Sequence, residues 1–260
     1  MFELWRRWRR QRVLARDRLD PQSWPEVRAA LPLLQGLSDE ELGRLEQLML
    51  LFLAEKKFEA VGGLELTEPM RLVIAAQACL PILNLGIDYY RGWYSVVVYP
   101  GGFMARRHYV DEAAVVHAWE EPLAGEAWEQ GPVILSWEDV EDSLPLDGFN
   151  VVLHEFAHKL DMLTGAPNGL PPLHRDMVVA EWSAAMQAAY DDLAARDDAG
   201  EETPIDPYAA ESPAEFFAVI SEVFFELPHV LLAEYPAVYK QLARFYRQDP
   251  AERLPSPGAF

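Results

Sequence analysis

The chain has 260 residues, of which 50% are hydrophobic and 12% aromatic, and its 42 acidic and 22 basic side chains give a formal net charge of −20. This apolar content excludes a wholly disordered chain and is enough for one large domain with a sizeable core. Seven basic residues and only two acidic ones fall in the first 18 positions, so the other 242 residues carry 15 basic and 40 acidic side chains, a net charge of −25. Such a body repels phosphate backbones, which argues against nucleic acid as a partner.

Residues 1–20 predict a basic helix in which Trp5, Trp8 and other apolar residues alternate with arginines. Two interpretations are open. The helix either contacts an anionic membrane surface through residues 1–18 or docks on the acidic body of the protein itself. We favour docking, because the body offers ample counter-charge.

The segment 21–88 is predicted to be a helical scaffold without chemistry of its own. A capping box at Ser38–Glu41 starts a helix that runs to about Lys57. Thr67–Pro69 opens a second helix that runs to about Leu83.

Cysteine usage and hydropathy indicate a soluble, cytoplasmic protein. The single cysteine, Cys79, lies among apolar residues and is predicted to be a buried structural thiol. The N-terminal arginines are not followed by the apolar stretch of a secretory signal. The most apolar window, residues 72–85, is too short to cross a bilayer.

From residue 89 the pattern changes to that of a domain with both strands and helices, which we place at 89–250, with a tail at 251–260. Runs rich in valine and aromatic residues predict strands at Trp93–Tyr99 and Gly131–Trp137. Asn150 is the predicted N-cap of the next helix. Further helices are predicted over 180–195, from Ser212 to near Leu227, and from Pro236. The predicted fold class is α+β, with helices around a small mixed sheet and additional N-terminal helices.

The chemistry of the chain lies between Val151 and Asp161, which contain the pattern H-E-x-x-H. On a helix, His154 and His158 are one turn apart, so both imidazoles project from one face and can bind a single zinc ion. Glu155 follows the first histidine directly, where its carboxylate can take a proton from a water at the metal as that water attacks a carbonyl. The pattern therefore predicts a zinc hydrolase site.

The third zinc ligand is left open by spacing. Asp161 and Thr164 stand where the metzincin pattern needs glycine and histidine, so that class is excluded. A downstream glutamate is the usual remaining choice, and the chain offers Glu181, Glu211, Glu215, Glu222 and Glu226. For Glu215, a capping box with Ser212 is an alternative role. Asp161 lies three residues beyond His158 and is either an anchor for a ligand imidazole or an ordinary exposed aspartate at a helix end.

The run His154–Asp161, joined to Asp206–Phe225, resembles the Mlc titration factor A (MtfA) family of zinc-dependent peptidases, and it is similar at the same places to the catalytic domain of anthrax lethal factor. The shared pattern is a histidine–glutamate helix and then a tyrosine seven residues before a liganding glutamate that precedes two phenylalanines. The resemblance implies a zincin-like domain in which Glu215 is the third zinc ligand. It also implies that Tyr208 faces the metal, where its hydroxyl can donate to the oxyanion of the tetrahedral intermediate.

The resemblance further implies a cytosolic peptidase of aminopeptidase type that binds the glucose repressor Mlc. The first expectation is therefore a zinc-dependent peptidase with one catalytic Zn²⁺ and a peptide substrate. The alternative is a regulatory protein that binds and sequesters a transcriptional repressor of the Mlc type, with or without peptidase activity. Val133–Trp137 is either a sheet edge for an extended peptide or a plain core strand. Of the other histidines, only His174 is worth testing as a site residue.

Overall fold

The structure is a computed structural model that describes residues 2–110, 116–123, 125–128 and 131–256, with side chains described for residues 4–102, 125–128 and 131–256. Within these residues, helices surround a small mixed sheet. The α+β class predicted from the sequence is confirmed.

The N-terminal scaffold consists of helices. They are α1 (Phe2–Arg16), α2 (Ser23–Ala30), α3 (Asp39–Glu55) and α4 (Glu68–Cys79). The predicted capping box opens α3, since Ser38 Oγ accepts a hydrogen bond from the Glu41 amide and the Glu41 carboxylate accepts one from the Ser38 amide. α4 ends before Leu83, because Pro81 lacks the N–H group that would continue the helix. Cys79 is fully buried, as predicted.

The strands form one mixed sheet and one separate ladder. They are β1 (Lys57–Ala60), β2 (Ser95–Tyr99), β3 (Phe103–Val110), β4 (Val116–Leu123), β5 (Gly125–Ala127) and β6 (Val133–Ser136). The sheet has the order β1–β2–β6–β5, in which β1, β2 and β6 are parallel and β5 is antiparallel to β6. β3 and β4 pair with each other, antiparallel. β1 comes from the predicted scaffold segment, so this segment and the catalytic region share the sheet, and the boundary at residue 88 stays a prediction.

The two predicted strands are confirmed as β2 and β6, but β6 does not lie at a sheet edge. Val133 pairs with Val96 of β2 on one side and with Ala127 of β5 on the other. The interpretation of Val133–Trp137 as an edge for a peptide is therefore wrong, and the core strand is correct. β5 is the outermost strand on that side of the described sheet.

The C-terminal part is helical. Its helices are α5 (Trp137–Asp142), α6 (Val151–Asp161), α7 (Val179–Asp198), α8 (Pro213–Glu226), α9 (Pro228–Glu234), α10 (Pro236–Tyr246) and α11 (Pro250–Arg253). The helices predicted from Asn150, over 180–195, from Ser212 and from Pro236 are confirmed as α6, α7, α8 and α10. The short helices α5, α9 and α11 were not predicted.

The core packs tightly around α6 and α8, which carry the candidate site. Phe156 of α6 is fully buried, and its ring centroid lies 5.6, 5.1 and 5.7 Å from those of Phe52, Tyr90 and Trp93. α8 buries each residue from Phe216 to Glu226. Burying one such aromatic side chain stabilises the fold by about 1.5–3 kcal/mol, so these contacts hold the site helices rigidly.

The basic helix α1 is docked on the acidic body, as the favoured interpretation predicted. Arg10 donates from Nε and Nη2 to the carboxylate of Glu55 and from Nη1 to Asp88 at 2.9 Å. Arg6 forms an ion pair with the same Asp88 at 3.1 Å. None of the described helices is long and apolar enough to cross a membrane.

Candidate metal centre

The two histidines of the motif project from α6 onto one side, as their spacing predicted. Asn150 caps this helix, its Oδ1 accepting a hydrogen bond from the Leu153 amide at 2.9 Å. The imidazole centroids of His154 and His158 are 4.8 Å apart, and their Nε2 atoms are 3.1 Å apart. Both Nε2 atoms therefore converge on the same small volume.

Glu215 of α8 completes this group from across the helix pair. Its Oε2 lies 3.0 Å from His154 Nε2 and 3.3 Å from His158 Nε2. Ser212 caps α8 by accepting a hydrogen bond from the Glu215 amide, while the Glu215 carboxylate points at the histidines. The capping role and the site role thus use different atoms of the same residue. Burial alone would raise the pKa of Glu215, but the hydrogen bonds from both histidines outweigh it and hold the pKa far below its usual range.

These three side chains fit a metal ion. One donor atom from each of His154, His158 and Glu215 lies within 4.8 Å of the others. Two imidazoles and one carboxylate are the ligand set of a catalytic zinc that keeps one position open. Burial disfavours protonation of His154, yet the carboxylates of Glu222 and Glu215 raise its pKa well above the ordinary value. The carboxylates around His154 therefore favour a positive charge at this position, and a bound metal ion would supply one.

Glu222 fixes the orientation of His154. Its Oε1 accepts a hydrogen bond from His154 Nδ1 at 2.7 Å, and its Oε2 accepts one from the Asn150 amide at 2.5 Å. The side chain is buried, and burial raises its pKa. With Nδ1 donating to Glu222, Nε2 is the nitrogen of His154 that is directed at the site, and it would bind a metal ion in place of its proton. The sequence offered Glu222 only as an alternative third ligand, but the structure places it behind the histidine.

A second buried carboxylate lies next to this one. Asn150 Nδ2 donates to Glu226 Oε1 at 2.8 Å and to Gln77 Oε1 at 2.6 Å. The Gly148 amide donates to Glu226 Oε2 at 3.1 Å. Burial raises the pKa of Glu226 to about 9 despite these donors, so its carboxyl group is neutral at pH 7. Glu226 therefore supports the start of α6 without adding charge to the site.

Glu155 is buried beside the metal ligands and under strand β5. A Cβ atom on Gly125 would lie only 2.5 Å from Glu155 Oε1, so the two residues are in close contact. Oε2 has no hydrogen-bond partner among the described protein atoms. Burial raises the pKa of Glu155 to about 7, against the opposing effect of His154 and His158. A carboxylate with one open oxygen and a pKa near neutrality is suited to general base catalysis.

Tyr208 lies at the rim of the same cleft. It belongs to a short 3₁₀ helix, Pro207–Ala210, which Asp206 caps by accepting a hydrogen bond from the Tyr208 amide at 2.9 Å. Its ring centroid is 6.1 Å from that of His154, and its side chain is 47% exposed. The remaining residues that line the cleft are Gly125, Glu126, Ala127, Met162 and Pro167. β5 thus forms one wall of the cleft.

Asp161 is not brought to either histidine by a hydrogen bond. Its Oδ2 accepts hydrogen bonds from the Asn168 and Gly169 amides, each at 2.7 Å. Within the described residues, Asp161 Oδ1 and His158 Nδ1 both lack a hydrogen-bond partner. The side chain is fully buried, so the alternative of an exposed aspartate is wrong. Asp161 holds the loop after α6, and the carboxylate that orients a histidine is Glu222.

The other residues considered from the sequence lie away from the cleft. His174 hydrogen-bonds the Phe245 carbonyl at 2.8 Å, and Glu181 contacts Arg244 at 3.4 Å. The side chains of His108 and His117 lie outside the described residues.

Comparison with known proteins agrees with a metal site at this cluster. Residues 5–247 match the family model described as glucose-regulated metallo-peptidase M90. The chain belongs to this family. The M90 chain is similar to "Mlc titration factor A" of Yersinia pestis strain Pestoides F, with 42% identity over 228 residues, which cover 86% of this chain and 84% of the relative. The same values hold for "Mlc titration factor A" of Yersinia pseudotuberculosis serotype O:1b.

The resemblance to the Mlc titration factor A family is therefore confirmed. Because the chain belongs to the M90 family, its fold is of metallopeptidase type. The cluster of His154, His158 and Glu215 could hold a metal ion, which agrees with this family.

Proposed function

We propose that this M90 chain is a zinc-dependent peptidase of aminopeptidase type that hydrolyses peptides in the cytoplasm. The observation that carries the proposal is the convergence of His154 Nε2, His158 Nε2 and Glu215 Oε2, with Glu155 buried beside them. These three side chains would hold one Zn²⁺. When bound, the ion makes a water more acidic and polarises a carbonyl group.

The chain's own residues supply the proton transfers. Glu155 Oε2 takes a proton from the attacking water as the new C–O bond forms, and it later gives that proton to the leaving amine as the C–N bond breaks. The Tyr208 hydroxyl donates a hydrogen bond to the developing oxyanion from the rim of the cleft. Glu222 keeps His154 in the tautomer that presents Nε2.

The shape of the cleft supports an extended peptide as substrate. β5 borders the cleft and is the outermost strand on its side of the described sheet. A peptide laid along Gly125–Ala127 would have its backbone next to Glu155, because Gly125 is in close contact with this carboxylate.

The second candidate function is binding and sequestration of a transcriptional repressor of the Mlc type. Its support is the name of the Yersinia relatives, "Mlc titration factor A", at 42% identity. The two functions are compatible, because a binding surface need not include the cleft. Asp161 is compatible with either function, because its carboxylate holds the loop that follows α6, the helix with both histidines.

Glu155→Gln separates the chemistry from metal binding. We expect the variant to retain one zinc per chain while hydrolysis of a short fluorogenic peptide falls by at least about 100-fold. The same peptide with an acetylated N-terminus tests the aminopeptidase assignment, since an aminopeptidase does not cleave it. Unchanged turnover in Glu155→Gln would refute the role of Glu155. Loss of peptide cleavage on chelation, with repressor binding retained, would establish both functions side by side.

A further inference from the structure

Helix α1 has two faces, and its described ion pairs with the body come from one of them. Arg6 and Arg10 point to the body, where they bind Asp88 and Glu55. Leu4, Trp5 and Trp8 lie on the opposite side and are 72%, 57% and 51% exposed. These three positions fall within an arc of about 100° of the helix, so their side chains form one continuous apolar ridge.

Arginines border this ridge. The Arg9 guanidinium lies 5.8 Å from the Trp5 ring centroid, and that of Arg12 lies 4.8 Å from the Trp8 ring centroid. Such cation–π contacts keep the guanidiniums beside the indoles.

A groove continues the ridge onto the body. Trp5 and the three arginines Arg6, Arg9 and Arg10 line it on the helix side, and Glu55, Arg91 and Tyr94 line it on the other side. Arg9 also donates to the Ala54 carbonyl at 3.4 Å. The Tyr94 side chain is 72% exposed. We call this surface the tryptophan–arginine face and define it as Leu4, Trp5, Trp8, Arg9, Arg12 and Tyr94.

We propose that the tryptophan–arginine face binds an anionic lipid surface, with Leu4, Trp5 and Trp8 in the headgroup region and the arginines against the lipid phosphates. A helix with tryptophan and leucine on one side and flanking arginines lies in the bilayer interface with its apolar side about 5–10 Å deep. Tryptophan and tyrosine are enriched at that depth, because their rings are apolar and their N–H or O–H groups are polar.

The charge distribution also selects this end of the molecule. The first 18 residues carry seven arginines and two acidic residues, whereas the rest of the chain has a net charge of −25. An anionic bilayer attracts each arginine near its surface by about 1 kcal/mol and repels the acidic body. The Debye length of about 8 Å at physiological salt limits that repulsion to the acidic groups nearest the membrane. The protein would therefore attach by α1 and carry its body away from the surface.

This mode of attachment leaves the candidate metal centre accessible. The groove beside α1 and the cleft at His154 have no lining residue in common. The Trp93 ring lines the groove, with Lys56 Nζ 3.6 Å and Lys159 Nζ 5.0 Å from its centroid. Of these two lysines, Lys56 lines the groove. A peptide could thus enter the cleft of a membrane-bound molecule.

The test is flotation of the full chain with vesicles of phosphatidylcholine, with or without one third phosphatidylglycerol. We expect binding only to the anionic vesicles, weakened when salt rises from about 0.1 M to about 0.5 M. Trp5→Ser combined with Trp8→Ser should weaken binding at least about tenfold, because both indoles lose their place in the interface. Arg9→Gln combined with Arg12→Gln should weaken binding to anionic vesicles. Trp128→Ser, which changes an equally exposed tryptophan elsewhere, should bind like the wild type.

Circular dichroism of each variant checks that the fold is intact. Equal binding to neutral vesicles, no binding to either kind, or wild-type binding by the Trp5 and Trp8 variant would each overturn the proposal. Sedimentation measured without vesicles tests whether a second copy of the chain binds this face instead of lipid. A self-associated wild type that the same double variant makes monomeric, with no vesicle binding, would assign the face to a second copy of the chain and reject the lipid.

Discussion

His154 and Glu222 are joined by a 2.7 Å hydrogen bond between Nδ1 and Oε1, although 68 residues separate them in the chain. The carboxylate receives a second hydrogen bond, from the Asn150 amide at the start of α6. Glu222 therefore links the orientation of one candidate metal ligand to the N-terminus of the helix that carries both histidines.

Removing the charge of Glu222 should weaken metal binding without abolishing it. In Glu222→Gln the amide oxygen can still accept from His154 Nδ1, but the charge that makes this imidazole a strong ligand is lost. We expect zinc affinity, measured by competition with a chromophoric chelator, to fall about 10–100-fold. Glu181→Ala on the exposed part of α7 is the matched control and should bind zinc like the wild type. Equal affinity in Glu222→Gln and the wild type would mean that the hydrogen bond does not tune the ligand.

The third ligand is tested by a comparison of three glutamates. Glu215→Ala removes the carboxylate that lies 3.0 and 3.3 Å from the two Nε2 atoms, so purified protein should contain little zinc. Glu222→Ala should retain zinc more weakly than the wild type, and Glu181→Ala should retain it fully. The measurement is zinc per chain by atomic emission after dialysis. Loss of zinc in Glu181→Ala alone would show that Glu215 is the wrong choice.

The close contact between Gly125 and Glu155 makes a methyl group at position 125 informative. The added Cβ would lie 2.5 Å from Glu155 Oε1 and 2.6 Å from Cγ, so either β5 or the Glu155 side chain must move. We expect Gly125→Ala to lower kcat for peptide cleavage roughly 10- to 100-fold while zinc content stays normal, because a general base displaced by about 1 Å loses its alignment.

Gly101→Ala is the matched control for this change. Its Cβ would approach Glu138 Oε2 at 2.8 Å, but this atom is the far end of a flexible side chain, which can swing away. We expect activity close to that of the wild type. A similar loss of kcat in both variants would point to a general effect on folding and would contradict the specific role of Gly125.

The local part of the site could be predicted from the sequence, because it depends on a single helix. Spacing of four residues places His154 and His158 on one side of α6, and Asn150 caps that helix as predicted. Glu215 could not be selected by spacing, since α8 reaches α6 only through tertiary packing. The sequence offered both Glu215 and Glu222 as candidate third ligands, but it could not show that one carboxylate meets Nε2 and the other Nδ1 of the same histidine.

Two of the strands that the sequence did not predict, β1 and β5, belong to the main sheet and are short. β1 has four residues and β5 three, which is too few for an alternating pattern to stand out. β5 begins with a glycine, a residue that is normally rare in strands, because a larger side chain would collide with Glu155. Its spacing from His158 made Asp161 a candidate anchor for a ligand imidazole. In the structure its carboxylate instead accepts hydrogen bonds from the Asn168 and Gly169 amides, and no local sequence pattern indicates that loop conformation.

Glu226 should make the stability of the protein depend on pH in the direction opposite to that of an ordinary carboxylate. Its pKa is about 9 in the folded state against an ordinary value of 4.5, so between these pH values the folded state binds more protons than the unfolded state. The free energy of unfolding therefore falls as pH rises, by up to about 1.4 kcal/mol per pH unit from this group. The contribution is fully present below about pH 4.5 and is lost as pH rises towards about 9.

Glu226→Gln isolates this effect, because glutamine does not titrate. Urea unfolding of the metal-free wild type and variant, between about pH 5 and pH 9, gives the difference in unfolding free energy at each pH. In the variant, either Asn150 Nδ2 or the Gly148 amide faces the NH₂ group of the glutamine and loses its hydrogen-bond acceptor. At low pH we therefore expect the variant to be less stable than the wild type by about 1–3 kcal/mol. This difference should shrink and then change sign as pH rises, because the carboxyl group of the wild type ionises on unfolding whereas the glutamine side chain does not. A difference that stays constant across the range would show that Glu226 is already ionised in the folded protein at pH 5.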